Sequence, residues 1–526
     1  MHDYIIIGAG SAGCALANRL TEDPQTSVLL LEAGGPDRAA AIRIPVAAST
    51  LYKGPYDWAL ETEPQPHLNG RRLYFGRGKG LGGSGLINSM IAIRGAAADY
   101  DEWAALGNAG WSYADVLPYF KKLEHDERGA SPYHGTAGPL NVAAPRYLHP
   151  LTRAFLAAAV AHGYARNPDL NGATQEGVAP YLVTQRGGRR HSPAAAYLRP
   201  VAGRRNLTIL TGARAAALLL EGDRVTGVRY RRDGRAYEAL AARETLLCCG
   251  AIHSPQVLLL SGIGPAEHLR ALGIPVARDL PGVGQQLRDH LAMGVIHGAT
   301  RPSLEAAIRS WRLPGNLLRY ALRHRGPLTS IVVEAGGFVK SSADLPAPDL
   351  QLNFIPAFAL DHGFTRARGH HFSIGVLHLR PQSCGSVSLR SPDPLDPPRL
   401  QPNYLAHPDD AAALLHGVAL VRAIAATPPL AALSRREVYP GARVQDPAEL
   451  LEWTRAYAMN GDHPVGTLRM GRDALAVVDE RLRVHGLRGL RVVDASVMPT
   501  IPRGNTNLPT IMIAERAADL IKADNR

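Results

Sequence analysis

Tyr4-Ile5-Ile6-Ile7-Gly8-Ala9-Gly10-Ser11-Ala12-Gly13 leads into the helix-like run Cys14-Ala15-Leu16-Ala17-Asn18-Arg19-Leu20, and a second apolar stretch, Val28-Leu29-Leu30-Leu31, ends on Glu32. A β-branched strand, a glycine turn, a helix and a further strand make a βαβ unit. Gly8 makes the tight turn, Gly10 lets the backbone approach a pyrophosphate, and Gly13 lets the helix lie close on the sheet. The helix N-terminus, with Ser11 and Ala12 in its first turn, faces the phosphates. Glu32, followed by Ala33, stands nineteen residues beyond Gly13. A carboxylate there accepts hydrogen bonds from ribose hydroxyls and disfavours a 2′-phosphate, so the site reads as one for FAD or NAD, not NADP.

The rest of the chain supports a large enzyme. Its 526 residues suggest two or three units, and 46% hydrophobic with 20% charged residues is a globular balance. The formal charge of +12 comes from dispersed arginines with no run of five or six, so a nucleic-acid partner is not expected. The densest basic stretch, Arg309 to Arg325, alternates with Leu, Trp and Tyr. It could lie on a membrane surface, and a solvated helix near a pocket mouth is the preferred reading. The four cysteines lack metal or disulfide spacing, the N-terminus enters a strand at once, and no stretch approaches eighteen uninterrupted apolar residues. A cytoplasmic protein without stable membrane insertion is therefore expected.

Six glycines between Gly76 and Gly85 suit backbone pressed against a flat or phosphorylated ligand. The run from Leu86 to Ile93 is too apolar for an exposed linker and reads as a buried loop. Arg243 to Leu247 is a buried strand leading into Gly250-Ala251 and a helix from about Ser254-Pro255, while Asn206 to Leu210 and Val225 to Arg231 read as strands of a neighbouring hairpin.

Two of these segments, Gly78-Lys79-Gly80-Leu81-Gly82-Gly83-Ser84-Gly85-Leu86-Ile87-Asn88 and Gly250-Ala251-Ile252-His253-Ser254-Pro255-Gln256 through Gly264, closely resemble the two signatures of the glucose-methanol-choline (GMC) oxidoreductases. Tyr56-Asp57-Trp58, Leu280-Pro281-Gly282-Val283-Gly284, Asp289-His290 and the C-terminal hundred residues resemble further family segments in order, the choline dehydrogenase-like and alcohol-oxidising branch included. The resemblance implies FAD. It also implies an α/β fold with a noncontiguous Rossmann-like FAD-binding domain (1–145, 200–295 and 465–526) and a substrate domain (146–199 and 296–464) built on an antiparallel sheet covered by helices. Cofactor contacts would come from Trp58, Arg77, Gly82, Gly83, Ser84, Asn88, Met90, Ala215, Asp494, Ala495, Asn505 and Thr506, beside the N-terminal set. Ile87 stands where some members carry a flavin-linked histidine, so the FAD is expected to be noncovalent.

Asp462-His463-Pro464-Val465-Gly466 resembles the segment of the family's catalytic histidine, and Asn507, forty-four residues on, falls where the resemblance puts a second active-site His or Asn. Alcohol oxidation needs loss of the hydroxyl proton and expulsion of a hydride to flavin N5. Imidazole suits the first step because its ordinary pKa of about 6.5 leaves a neutral fraction at physiological pH; Asn507 would orient the oxygen. Asp462 departs from the usual aromatic or apolar residue; facing the pocket it would favour a cationic or polyhydroxylated substrate, and pointing away, the reading that alternation in an extended segment favours, it is a hydrogen-bonded turn residue. Glu334 matches a carboxylate of the choline-oxidising branch, with a purely structural role as its alternative. The expected activity is therefore oxidation of a primary or secondary alcohol, with oxygen or another acceptor taking the electrons. Hydroxynitrile lyase-type and photodecarboxylase-type chemistry on the same fold, or a flavin-binding structural protein, are the rivals.

Overall fold

The computed structural model describes residues 1–524, which build two seven-stranded sheets and five small two-stranded ladders. Ile5–Ile7 and Val28–Glu32 are buried on both faces, as expected for strands with helices on either side. His2–Ile7 pairs in parallel with Val28–Glu32 on one edge and Arg235–Leu247 on the other. Leu207–Thr211 joins outside the former and Leu490–Val492 outside the latter, both parallel. The first half of Arg235–Leu247 runs on into an antiparallel meander with Arg224–Arg232 and Arg214–Glu221. The hairpin expected between Asn206–Leu210 and Val225–Arg231 is therefore not formed. The first of these segments is a parallel edge strand, because Leu207 and Ile209 complete the apolar row of Val28 and Leu30. The helices Ser11–Leu20 and Asn507–Asp524 pack against each other in the same core.

The second sheet is antiparallel, in the order Ser434–Tyr439, Leu291–Ala299, His371–His378, Leu350–Ile355, Ala335–Val339 and Gly177–Pro180. Helices Pro150–Ala161 and Pro408–Ala425 share its core. The latter starts with His407 as N-cap, its Nδ1 accepting from Asp409 N at 3.3 Å. Ser386–Ser388 forms a separate two-stranded ladder with Arg399–Gln401 that buries Val387. The expected boundary at 295 falls within Leu291–Ala299, all of which belongs to the antiparallel sheet.

A seam joins the two sheets. Leu291 and Ala292 pair with Asn460 and Met459, and Arg288 bridges to Val465, so the segment carrying His463 is clamped beside the carboxyl ends of the parallel strands. Pro255 sits inside the helix Gly250–Leu260 and cannot donate to the carbonyl four residues back. That freed carbonyl, of Ala251, accepts from Thr467 Oγ1 at 2.7 Å, a second clamp on the same segment.

Candidate active site

A cavity runs from the glycine turn to His463. At one end lie Gly8, Gly10, Ser11, Ala12, Glu32 and Ala33. Gly8 adopts φ 99°, and a Cβ there would stand 2.6 Å from the Cys248 carbonyl, so only glycine fits the turn. Glu32 is buried and accepts from Ala9 N, Gly34 N and Gly80 N at 2.9, 2.7 and 3.1 Å, tying three loops into one cradle. Burial raises its pKa against these bonds. Asp494 holds the neighbouring wall, accepting from Gly250 N at 2.8 Å and Ser496 N at 2.8 Å. Ala215, Ala495 and Thr506 also line this space.

In the middle of the cavity, the Trp58 ring lies 4.3 Å from that of His253, with Lys79 and Arg214 over it. Gly83, Ser84, Asn88 and Met90 form the adjoining wall. Asn88 Oδ1 accepts from Arg190 Nη1 at 2.7 Å and Met90 N at 3.1 Å, which leaves its Nδ2 as the donor it can offer to the cavity. Arg190 is a buried guanidinium whose pKa desolvation lowers to about 10. Met90 holds φ 59°, a conformation that non-glycine residues reach at a cost and that clusters at ligand sites.

At the far end, His463 is bracketed by two left-handed residues, Asp462 at φ 62° and Gly466 at φ 88°. A Cβ on Gly466 would meet the Gln286 carbonyl at 2.5 Å, so this turn also demands glycine. Asp289 Oδ1 accepts from His463 N at 2.6 Å, His290 Nδ1 lies 3.0 Å from His463 Nδ1, and Asn505 Nδ2 lies 3.0 Å from His463 Nε2. Burial, reinforced by the Arg77 charge, lowers the His463 pKa to about 3, so the imidazole is neutral and able to accept a proton. Asp289 is pushed the other way, up to about 7, by burial, against the hydrogen bond from Tyr404.

Two sequence expectations change and two are narrowed. The side chain that meets His463 is Asn505, not Asn507. Asn507 Oδ1 accepts from Ser11 Oγ at 2.7 Å and lines the dinucleotide end, because the helix that begins at Asn507 turns it toward the glycine loop. Asp462 lines the cavity instead of pointing away: its left-handed backbone breaks the alternation, and Arg77 Nη2 donates to its carbonyl at 2.7 Å and its Oδ1 at 3.2 Å. Glu334 is sealed off, accepting from His149 N, Thr152 Oγ1 and Ser330 Oγ at 2.7, 2.6 and 2.7 Å, while its neighbour Val333 faces the cavity. Gly13 and Gly82 shape the cradle without lining it: a Cβ on Gly13 would be 1.9 Å from the Gly8 carbonyl, and Gly82 N donates to Ala9 O at 2.8 Å.

From sequence no role is assigned to Asp289, to His290 or to Gln351, whose Nε2 donates to Asn505 Oδ1 at 3.3 Å. Asp289 and His290 reach His463 through the Arg288–Val465 bridge, a pairing across more than 170 positions that leaves no local signal.

Comparison with known proteins agrees with this architecture. Models of the GMC oxidoreductase family match residues 2–292 and 381–514. The chain is 44% identical to an alcohol dehydrogenase [acceptor] of Pseudomonas putida, covering 99% of this chain and 96% of that one. It is 46% identical to an oxygen-dependent choline dehydrogenase of Burkholderia cenocepacia, covering 99% and 93%. Among solved structures, pyridoxine 4-oxidase from Mesorbium loti superposes with a TM-score of 0.92 at 32% identity, covering 99% of each chain. Formate oxidase from Aspergillus oryzae gives 0.94 at 27% identity, covering 99% and 98%. The chain thus belongs to the GMC oxidoreductases, as an FAD-dependent enzyme acting on CH–OH donors.

Proposed function

We propose that this enzyme oxidises an uncharged primary or secondary alcohol, with His463 as base and Asn505 holding the substrate oxygen. The observation that carries the reading is a neutral, buried imidazole with an amide donor 3.0 Å from its Nε2. A hydroxyl entering between them donates its proton to Nε2 and accepts from Asn505 Nδ2, which stabilises the alkoxide as it forms. Bound FAD supplies the two-electron acceptor. The glycine turn with Ser11 would hold its pyrophosphate and Glu32 its ribose, and Ile87 offers no nucleophile for a covalent link.

The substrate preference follows from the walls near His463. Ile91, Ala292, Val333 and Leu377 are apolar, and the side chain of Asp462 is paired with Arg77. Glu334 is buried behind Val333 with its oxygens turned to three donors and does not line the cavity that would hold a quaternary ammonium. We therefore assign aliphatic or benzylic alcohols ahead of choline. The chain organisation expected from sequence, an FAD-binding part and a substrate-binding part, belongs to the same reading, as does a reducing compartment for the four free cysteines.

The test is anaerobic mixing of the enzyme with aliphatic, benzylic, amino and sugar alcohols while flavin absorbance is followed, then repetition in air with peroxide detection. Aliphatic or benzylic alcohols should bleach the flavin fastest, and His463→Ala should keep FAD while slowing bleaching about 100-fold or more. Choline bleaching as fast as the best neutral alcohol overturns the substrate assignment. An unchanged rate in His463→Ala removes the base. Bleaching by no alcohol, with cleavage of a hydroxynitrile or light-driven loss of carbon dioxide, would replace the reaction itself.

A further inference from the structure

The helix Leu313–Arg323 reverses the usual amphipathic arrangement. Its single buried residue is Tyr320, which donates to the Arg43 carbonyl at 3.1 Å. Leu318 and Leu322, four residues apart, share one helix face that points outward with exposures of 61 and 72%, and Trp311, in the turn just before the helix, is 85% exposed. Leu317 beside them is 45% exposed, so four of the twelve exposed large apolar side chains among the described residues fall within twelve positions. Singly exposed apolar residues are ordinary, whereas a contiguous patch of them marks a binding surface.

The charge around the patch has one sign. Arg312, at the N-cap, and Arg319 and Arg323 lie seven and four residues apart, so they form a stripe along the flank of the apolar face. None of these three has a carboxylate partner among the described residues, and no Asp or Glu occurs between Glu305 and Glu334. Gly188 packs against the His324 carbonyl and the Arg146 side chain, which brings a further arginine to the same rim.

We propose that this helix docks the enzyme on an anionic lipid bilayer, lying in the plane of the surface with Trp311, Leu318 and Leu322 in the acyl boundary and the arginine stripe on the headgroups. An in-plane helix needs an apolar face and a basic flank, both present here. Its eleven residues rule out spanning, which takes about 20, and no helix of the described residues is long and apolar enough to cross a membrane. The position has a functional consequence. Tyr320 rests on the segment that runs on to Tyr52, and the chain leaves the helix toward Val333; both Tyr52 and Val333 line the cavity. The buried side of the helix therefore rests on a segment that leads to the cavity wall, and its exposed face is turned to the bilayer.

The experiment is flotation of the full-length, FAD-loaded enzyme with vesicles of phosphatidylcholine alone or with about one-third phosphatidylglycerol, at a Debye length of about 10 Å and again in high salt at about 3 Å. The native enzyme should float with the anionic vesicles at low salt and lose at least about tenfold of that binding on neutral vesicles or in high salt. W311S/L318S/L322S and R312E/R319E/R323E should each lose binding about as strongly, while bleaching by a water-soluble alcohol stays at the native rate. Absence of the native enzyme from the anionic vesicles overturns the proposal, and so does equal flotation of either variant. A dimer in size-exclusion chromatography that only W311S/L318S/L322S converts to monomer, without vesicle binding, would assign the face to a second copy of the chain instead.

Discussion

Asn505 Nδ2 donates to His463 Nε2 across 3.0 Å, and its direction is set from outside the cavity. Tyr181 gives its one hydroxyl proton to the Leu352 carbonyl at 2.7 Å and so accepts from Gln351 Nε2 at 3.1 Å. The other Gln351 proton reaches Asn505 Oδ1 at 3.3 Å. Asn505 must then present its NH₂ to His463, which leaves Nε2 as acceptor and puts the imidazole proton on Nδ1, toward His290 Nδ1. A buried chain of five side chains thus fixes the tautomer that a base requires.

The two asparagines should accordingly separate in kinetics. Asn505→Ala removes the donor to the developing alkoxide and should lower the rate of flavin reduction by about 10²- to 10³-fold with FAD retained. Asn507→Ala removes the Ser11 contact, worth about 0.5–1.5 kcal/mol, and a side chain from the dinucleotide end of the cavity. Its effect should appear as weaker FAD retention, with the loaded enzyme reduced at close to the native rate. Stopped-flow reduction and FAD titration of both variants decide this, and the reverse pattern would restore Asn507 to the substrate oxygen.

The pH dependence should belong to Asp289 before His463. With its folded pKa at about 3, His463 is unprotonated throughout ordinary assay conditions and gives kcat/KM no acid limb above pH about 5. Asp289, raised to about 7 and bonded to His463 N, ionises within that range. Its negative charge strengthens the imidazole as a base, so kcat/KM should rise through about pH 7. Asp289→Asn should flatten that rise. A profile in Asp289→Asn that keeps the same inflection would assign it elsewhere.

The parts of this site that are local in sequence were legible, and the parts made by long-range pairing were not. Gly8 to Glu32 forms one βαβ unit, whose turn, helix and carboxylate are all written within about thirty residues. Asn505 and Asn507 are both amides two positions apart that line one cavity, so spacing from His463 could not choose between them. The choice depends on where the terminal helix begins. Glu334 and Val333 pose a similar problem: adjacent residues face opposite ways, and only the three donors at 149, 152 and 330 show which one faces in. His290 needed the seam between the two sheets to become visible at all.

Glu334 should behave as a structural group. Glu334→Leu keeps the volume and strips the acceptor from His149 N and Thr152 Oγ1, and each buried donor left without a partner costs about 1–3 kcal/mol. Glu334→Gln keeps an oxygen for both and should cost less than about 1.5 kcal/mol. Denaturant unfolding of the two variants should show that order, with KM for the best alcohol unchanged in Glu334→Gln. A large KM increase in Glu334→Gln at native stability would instead put this carboxylate against the substrate.

Stability against pH should report the ion cluster of Glu124, Asp126, His134 and Asp169, remote from the cavity. His134 Nδ1 lies 2.9 Å from Glu124 and Nε2 2.8 Å from Asp169, while Arg94 pairs with Glu124 and Arg128 with Asp126. Burial opposes the charged imidazole, but the hydrogen bonds to Asp169 and Glu124 prevail and raise the His134 pKa. A raised folded value stabilises fully below the ordinary histidine pKa of about 6.5 and is lost as pH climbs through the folded value. Asp169 works in the opposite sense: burial is outweighed by His134, its folded value falls to about 2, and its contribution is present above the ordinary pKa of about 3.9 and lost as pH falls toward 2. The cluster therefore contributes most between about pH 4 and 6.5. Thermal midpoints of the native enzyme should decline above that window, and His134→Gln, which cannot be charged, should show a lower midpoint at pH 6 and a shallower alkaline decline. An identical slope in the variant would place the alkaline sensitivity in some other group.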